Sequence, residues 1–183
     1  MGFRDLTCFN RALLAKQFWR LWNTKESLAS QIIQAKYYPN NSILGAKLGS
    51  KPSFAWRSIH GAGEIVRDGL IWRIGDGKSV NIWRDRWIPT PSTFMIQSPP
   101  KILSRDANVR ELIDQDTHRW NKSLVDNIFI KTESVTTQSI PVSNTNRQDI
   151  QIWRGTLNGV FFCEECLSPC KGERRWSVSR EFT

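Results

Sequence analysis

The sequence predicts a mainly α-helical chain with one small β-hairpin, an α+β arrangement ending in a disordered C-terminal tail. Three observations carry that expectation. Apolar residues recur at three- and four-residue steps from Leu6 to Val66, the spacing of one helix face. Two short runs rich in β-branched and aromatic residues flank a loop holding two glycines, which is hairpin chemistry. Finally, 183 residues suffice for one domain plus a poorly ordered tail and are too few for a multidomain enzyme.

The elements follow in order. Leu6, Phe9, Leu13, Leu14, Phe18, Leu21 and Trp22 define the apolar face of a first helix, with Arg11 and Lys16 opposite and Arg20 nearby. Asn23-Thr24 interrupts it, Thr24 can cap a second helix through Leu28, Ile32, Ile33 and Ala35, and Tyr38-Pro39 stops that one. Ser53 fits the N-cap of a third helix running through Trp56, Ile59, Ile65 and Val66 to Asp68-Gly69, with Gly61 and Gly63 weakening its middle. Leu70–Ile74 and Ser79–Arg84 then flank Gly75-Asp76-Gly77-Lys78, so a β-hairpin is expected over about 70–84. Residues 89–100 are proline-rich and read as an extended connection. Short helices are expected at Val109–Ile113 and Trp120–Phe129, and the polar stretch Thr132–Asn146 is expected to be mobile. By region, 1–87 is a basic helical part plus hairpin, 88–160 is linker and short helices, and 161–183 is tail.

Charge points to a partner. Lys and Arg number 26 against 17 Asp and Glu, a formal net charge of +9. Residues 1–87 hold 14 basic and 6 acidic groups, 88–160 hold 8 and 7, and 161–183 hold 4 and 4. A basic half beside a neutral one is the footprint of a polyanion, so RNA or DNA is the expected partner. No membrane partner is expected, because no run approaches the roughly 18 apolar residues of a membrane span, and no small-molecule substrate is assigned. The first residues lack the apolar core of a signal peptide, which predicts an intracellular protein.

The Gly75-Asp76-Gly77-Lys78 loop could offer backbone N–H groups and a cation to a phosphate. It lacks the longer glycine spacing of a Walker A loop, and a tight hairpin turn is the favoured reading. Trp72, Arg73, Trp83, Arg84, Arg86 and Trp87 alternate aromatic and cationic side chains around it. The indoles are expected in the core, and the arginines are assigned to phosphate. The candidate nucleic-acid contacts are therefore Arg11, Lys16, Arg20, Arg73, Lys78, Arg84 and Arg86. No catalytic residue is assigned. His60 and His118 have no legible partner, and Asp114-x-Asp116 reads as a cap or solvated turn. Cys163-x2-Cys166-x3-Cys170 has the look of a zinc knuckle without a fourth ligand, and neither metal nor cofactor is assigned.

With these residues laid out, the chain resembles a region of plant LINE-type (non-LTR) retrotransposon polyproteins and related short open reading frames of plant mitochondrial genomes. The resemblance rests on Met1-Gly-Phe-Arg-Asp-Leu6, Phe9-Asn-Arg-Ala-Leu-Leu-Ala-Lys-Gln-Phe-Trp-Arg20, Ala35-Lys-Tyr-Tyr-Pro39, Leu48-Gly-Ser-Lys-Pro-Ser-Phe-Ala-Trp-Arg-Ser-Ile59 and the run from Gly69 to Ile88. It implies the segment after the reverse-transcriptase thumb and before a zinc-binding and ribonuclease H region. The polymerase aspartates lie upstream of that segment, so the resemblance implies a non-catalytic piece, nuclear or mitochondrial.

The resemblance continues through Ile140-Pro141, Asp149, Trp153 and Asn158-Gly-Val-Phe161, where relatives run on as Ser-Val-Arg-Ser-Ala-Tyr-His-Leu-Ala-Lys. Inserting one nucleotide into a back-translation of that continuation yields Phe162-Cys-Glu-Glu-Cys-Leu-Ser-Pro-Cys-Lys171. A frameshift therefore accounts for residues 162–183 and makes the three clustered cysteines by-products of the wrong frame. Two other readings stand beside the fragment: a protein-interaction module, and an accessory part of an RNA-directed DNA polymerase complex with a zinc-binding tail.

Overall fold

The structure, a computed structural model, describes residues 6–90, 93–142, 147–156 and 158–161. These form two compact units, one of residues 6–69 with 158–161 and one of the described residues between 70 and 156. The fold class is the expected one: five α-helices and two small two-stranded antiparallel sheets among the described residues. Phe161, the first residue of the expected tail, is buried and stacks on Trp19 at 5.7 Å; the rest of that tail, with the frame-shifted segment and the three clustered cysteines, lies outside the described residues.

In the first unit, α1 spans Leu6–Asn23, α2 Leu28–Tyr37 and α3 Phe54–Gly69. Two serines start the later helices by satisfying amides that have no partner within a first turn. Ser27, not Thr24, is the N-cap of α2, its Oγ accepting the Ser30 N–H at 3.2 Å. Ser53 does cap α3, accepting the Trp56 N–H at 3.2 Å.

α1 packs on α3 through small residues, and this turns its expected face. Ala12, Ala15, Phe18 and Trp19 are buried, whereas Leu6, Phe9 and Leu13 are exposed. Ala62 and Gly63 are buried on α3, and the Phe18 ring lies over Gly63, where a Cβ would stand 2.4 Å from Cε2. That contact explains a glycine inside a helix. Arg67 closes the other approach to Phe18, its guanidinium 5.1 Å from the ring while Nε donates to the Leu44 carbonyl at 2.8 Å. Trp56 is fully buried, stacks on Tyr37 at 4.9 Å and donates Nε1–H to the Leu48 carbonyl.

The second unit corrects the expected hairpin. β1, Leu70–Arg73, pairs antiparallel with β4, Ile150–Trp153, in the register Leu70 to Trp153 and Arg73 to Ile150. Residues 79–84 do not return along β1. Asn81 makes a single bridge to Asn108, and its side-chain oxygen accepts the N–H groups of Trp83 and Arg84 at 3.0 and 2.9 Å. An asparagine that satisfies the next two amides makes a turn where the alternation suggested a strand. The small hairpin of this fold is instead β2, Ile113–Asp114, with β3, Arg119–Trp120.

The helices of this unit also shift. The segment expected as a helix at Val109–Ile113 is a 3-10 turn, Val109–Leu112, leading into β2, and the next helix, α4, spans Lys122–Ile128. The stretch expected to be mobile holds α5, Lys131–Ser139. Its buried side chains are polar: Glu133, Ser134 and Thr137. The Glu133 carboxylate is 3% exposed and accepts the N–H groups of Gln97 and Ser98 and the Ser98 hydroxyl, at 2.6, 3.2 and 2.6 Å. A buried acid with its lone pairs taken in this way is tolerated, and it fastens the proline-rich connection to α5.

Candidate nucleic-acid interface

The glycine-rich loop after β1 forms an anion cradle, and the chain fills it with its own carboxylate. Oδ1 of Asp149 accepts the N–H groups of Gly75 and Gly77 at 2.7 and 2.9 Å, and Oδ2 accepts that of Ser79 at 2.8 Å. Alternate amides thus converge on one buried acid, a concave arrangement that suits a phosphate or a carboxylate equally. Neither sequence reading of the loop holds. It is not a hairpin turn, and its amides are already committed.

Both glycines are required by close approaches. A Cβ on Gly75 would stand 2.1 Å from the Arg147 carbonyl oxygen, and one on Gly77 would stand 2.5 Å from the Arg110 nitrogen. Gly77 also has φ +72, the left-handed region that glycine reaches without penalty. Sequence reasoning missed the role of Asp149. The available signal was a single acid directly before the alternating run Ile150-Gln-Ile-Trp153, with a glycine-rich loop elsewhere in need of an anion.

The cations assigned to phosphate stand as follows. On the first unit, Arg11, Lys16 and Arg20 are exposed along α1. On the second, Arg73 is exposed at the end of β1. Lys78 pairs with Asp76 at 3.0 Å and Arg84 with Asp106 at 2.8 Å. Burial pushes the Asp76 carboxyl up, but hydrogen bonds and the charge of Lys78 outweigh it and hold the group below the usual carboxylate range. Arg86 is half-buried, and its carbonyl accepts the Trp72 N–H at 2.7 Å. The Arg84–Asp106 pair is exposed on both sides, and such pairs contribute roughly 0–1 kcal/mol, so Arg84 can exchange carboxylate for phosphate at little cost. The Asp76 side chain is only 10% exposed, and Lys78 is held more firmly.

The indoles are core, as expected. Trp87 is 3% exposed and donates Nε1–H to the Ile82 carbonyl, while Trp72 and Trp83 are half-buried against the same cluster of Val80, Ile82, Ile88 and Val109. They serve as footing for the neighbouring cations. Asp114 and Asp116 form the solvated turn anticipated for them, with Oδ1 of Asp114 accepting the amides of Asp116 and Thr117 at 2.9 and 3.1 Å. His60 lies beside Trp56 with Nε2 2.8 Å from the Ala46 oxygen, a structural placement. Among the described residues no three His, Cys, Asp or Glu side chains are grouped so as to hold a metal ion, and no helix is long and apolar enough to cross a membrane.

No family model matches the chain, and no solved structure does. Two proteins of Arabidopsis thaliana are similar to it. One is an uncharacterized mitochondrial protein, 44% identical over 88 residues, which are 48% of this chain and 57% of that protein. The other is named for ribonuclease H and is 26% identical over 165 residues, 88% of this chain and 27% of that protein. The match therefore spans a little over half of the first relative and about a quarter of the second, so most of the chain corresponds to a minor part of a longer protein.

Proposed function

We propose that the chain is a non-catalytic segment of a retrotransposon reverse transcriptase, from beyond the thumb, which holds RNA or DNA through its basic side chains in the nucleus or mitochondrion. The observation that carries this reading is the similarity of 88% of the chain to 27% of a protein named for ribonuclease H. It fits the sequence resemblance, in which a segment of this kind precedes a ribonuclease H region. The exposed cations of α1 and the exposed Arg73, Lys78 and Arg84, with the half-buried Arg86, supply phosphate contacts that need no sequence readout. The experiment is fluorescence anisotropy of a labelled single-stranded oligonucleotide across a salt series. The quadruple variant R73Q/K78Q/R84Q/R86Q is expected to lower the salt slope by about one unit per contacting cation. An unchanged slope would reduce these four groups to solvated charges, and no binding at low salt would remove the nucleic-acid reading.

A second reading, a protein-interaction module, is favoured by one feature. Leu6, Phe9 and Leu13 leave apolar surface exposed along α1, at 78%, 39% and 40%. Salt separates the two, because apolar contacts persist where phosphate contacts weaken steeply.

A further inference from the structure

We propose that a groove of the second unit, lined by His118, Arg119, Trp120, Lys122 and Gln138, seats one nucleotide unit of a single strand; the proposal rests on the nucleic-acid reading above. The groove is open to solvent and offers about 390 Å3. None of the seven cations read from the sequence lines it.

Its wall is built from three elements whose chemistry converges on a phosphorylated aromatic ligand. Arg119 on β3 and Lys122 at the start of α4 are exposed and make no ion pair among the described residues. Among the described residues no carboxylate lines the groove, although Asp114 stands opposite Arg119 in the β2–β3 register and Asp126 accepts from Gln138 behind it. A guanidinium fork and an ammonium group on the wall of one groove suit phosphate oxygens.

Trp120 lines the same groove, half-buried and held in place from two directions. Its Nε1–H donates to the Ile140 carbonyl at 2.7 Å, and its ring stacks with Trp87 at 6.0 Å and 22°. An indole so fixed loses little freedom on meeting a base, which is the requirement for a stacking platform. Gln138 on α5 adds a polar handle. Its Nε2 donates to Asp126 and Ser134, both at 2.9 Å, which turns the amide so that Oε1 is the atom left to accept from a base amino group. An acidic peptide would use the two cations but not the indole and the amide oxygen, so the nucleotide is the better fit.

The test uses the full chain and a single-stranded oligonucleotide carrying 5-iodouracil. Irradiation is expected to cross-link it to the peptide containing Trp120. The R119Q/K122Q variant, both changes being at exposed positions, is expected to lose that cross-link and to lower the salt slope by about 0.7 for each phosphate no longer neutralised. The quadruple variant of the preceding section should retain the cross-link. If the parent binds but cross-links only elsewhere, or if R119Q/K122Q keeps the parental slope, the groove is not the site and the nucleic-acid reading stands. If an acidic peptide binds and displaces the oligonucleotide as well as a competing oligonucleotide does, the groove reads charge alone and the assignment to nucleotides is overturned. If the parent binds nothing at low salt, both readings fall.

Discussion

Asp149 and Gly77 meet through a 2.9 Å hydrogen bond from the Gly77 N–H to the Asp149 carboxylate, across 72 positions of sequence. With the amides of Gly75 and Ser79 on the same carboxylate, three backbone donors depend on one side chain. Hydrogen bonds to charged groups contribute about 1.5–3 kcal/mol each, and an orphaned buried donor costs about 1–3 kcal/mol. Asp149→Ala is therefore expected to cost about 3 kcal/mol or more in urea unfolding, and Asp149→Asn less, since one acceptor oxygen remains. A loss under about 0.5 kcal/mol for the alanine variant would mean that water replaces the carboxylate without penalty.

Two glycines of α3, two positions apart, should respond in opposite directions to alanine. At Gly61 nothing lies within 4 Å of an added methyl, and the position is exposed. Gly61→Ala should stabilise by about 0.5–1 kcal/mol through helix propensity. At Gly63 the methyl meets the buried Phe18 ring at 2.4 Å. Gly63→Ala should destabilise by about 1–3 kcal/mol, as overpacking does. Thermal melts of the two variants decide it, and a matching sign would refute the close contact of α1 with α3.

The turn between β2 and β3 should give the acid limb of stability a local component. The backbone amide of Thr117, and next that of Asp116, bind the Asp114 carboxylate and hold its pKa below the usual carboxylate range. A depressed folded value means that the contribution is fully present above the unfolded value of about 3.9 and is lost as pH falls through the folded one. A carbon-detected NMR titration should place Asp114 below its value in a peptide, and Asp114→Asn should flatten this part of the acid limb. A titration at the peptide value would show that the turn forms without the charge.

His118 closes the same turn with φ 52, in the left-handed region. Histidine tolerates this better than branched residues do, yet the conformation costs roughly 1–2 kcal/mol. His118→Gly removes that cost and adds a smaller loss of chain freedom, so a net gain of about 0.5 kcal/mol is expected. His118→Val should lose about 1 kcal/mol or more. Chemical denaturation of both variants checks the order, and a valine variant as stable as the glycine one would argue against this backbone conformation.

Much of the first unit was legible in the sequence because its helices announce themselves locally. Periodicity gave α1, α2 and α3, and Ser53 marked the start of the third. The buried face of α1 was only partly legible: Phe18, which meets Gly63, lay on the expected face, but the buried Ala12 and Ala15 carry too little apolar surface to mark it. In the second unit local signals misled. The glycines at 75 and 77 suggest a turn between neighbouring strands, whereas the partner of β1 begins at Ile150. α5 was hidden for a different reason, because the face it buries is built from Glu133, Ser134 and Thr137. At the candidate interface the core indoles were legible from alternation. The groove around Trp120 was not, because it is assembled from β3, α4 and α5 and no single stretch of sequence contains it.

The pairing of β1 with β4 has a consequence for how this unit is made. On a ribosome, Leu70–Arg73 and the glycine-rich loop emerge long before Asp149 and Ile150–Trp153, which complete both the sheet and the cradle. Until then β1 has an open edge and the loop has three amides without their acceptor. Contacts of such long sequence separation form slowly, because the closure entropy must be met before the contact repays it. A nascent chain of this protein therefore passes through an interval in which its most adhesive backbone is uncovered, and a messenger cut short anywhere before codon 149 would fix it in that condition.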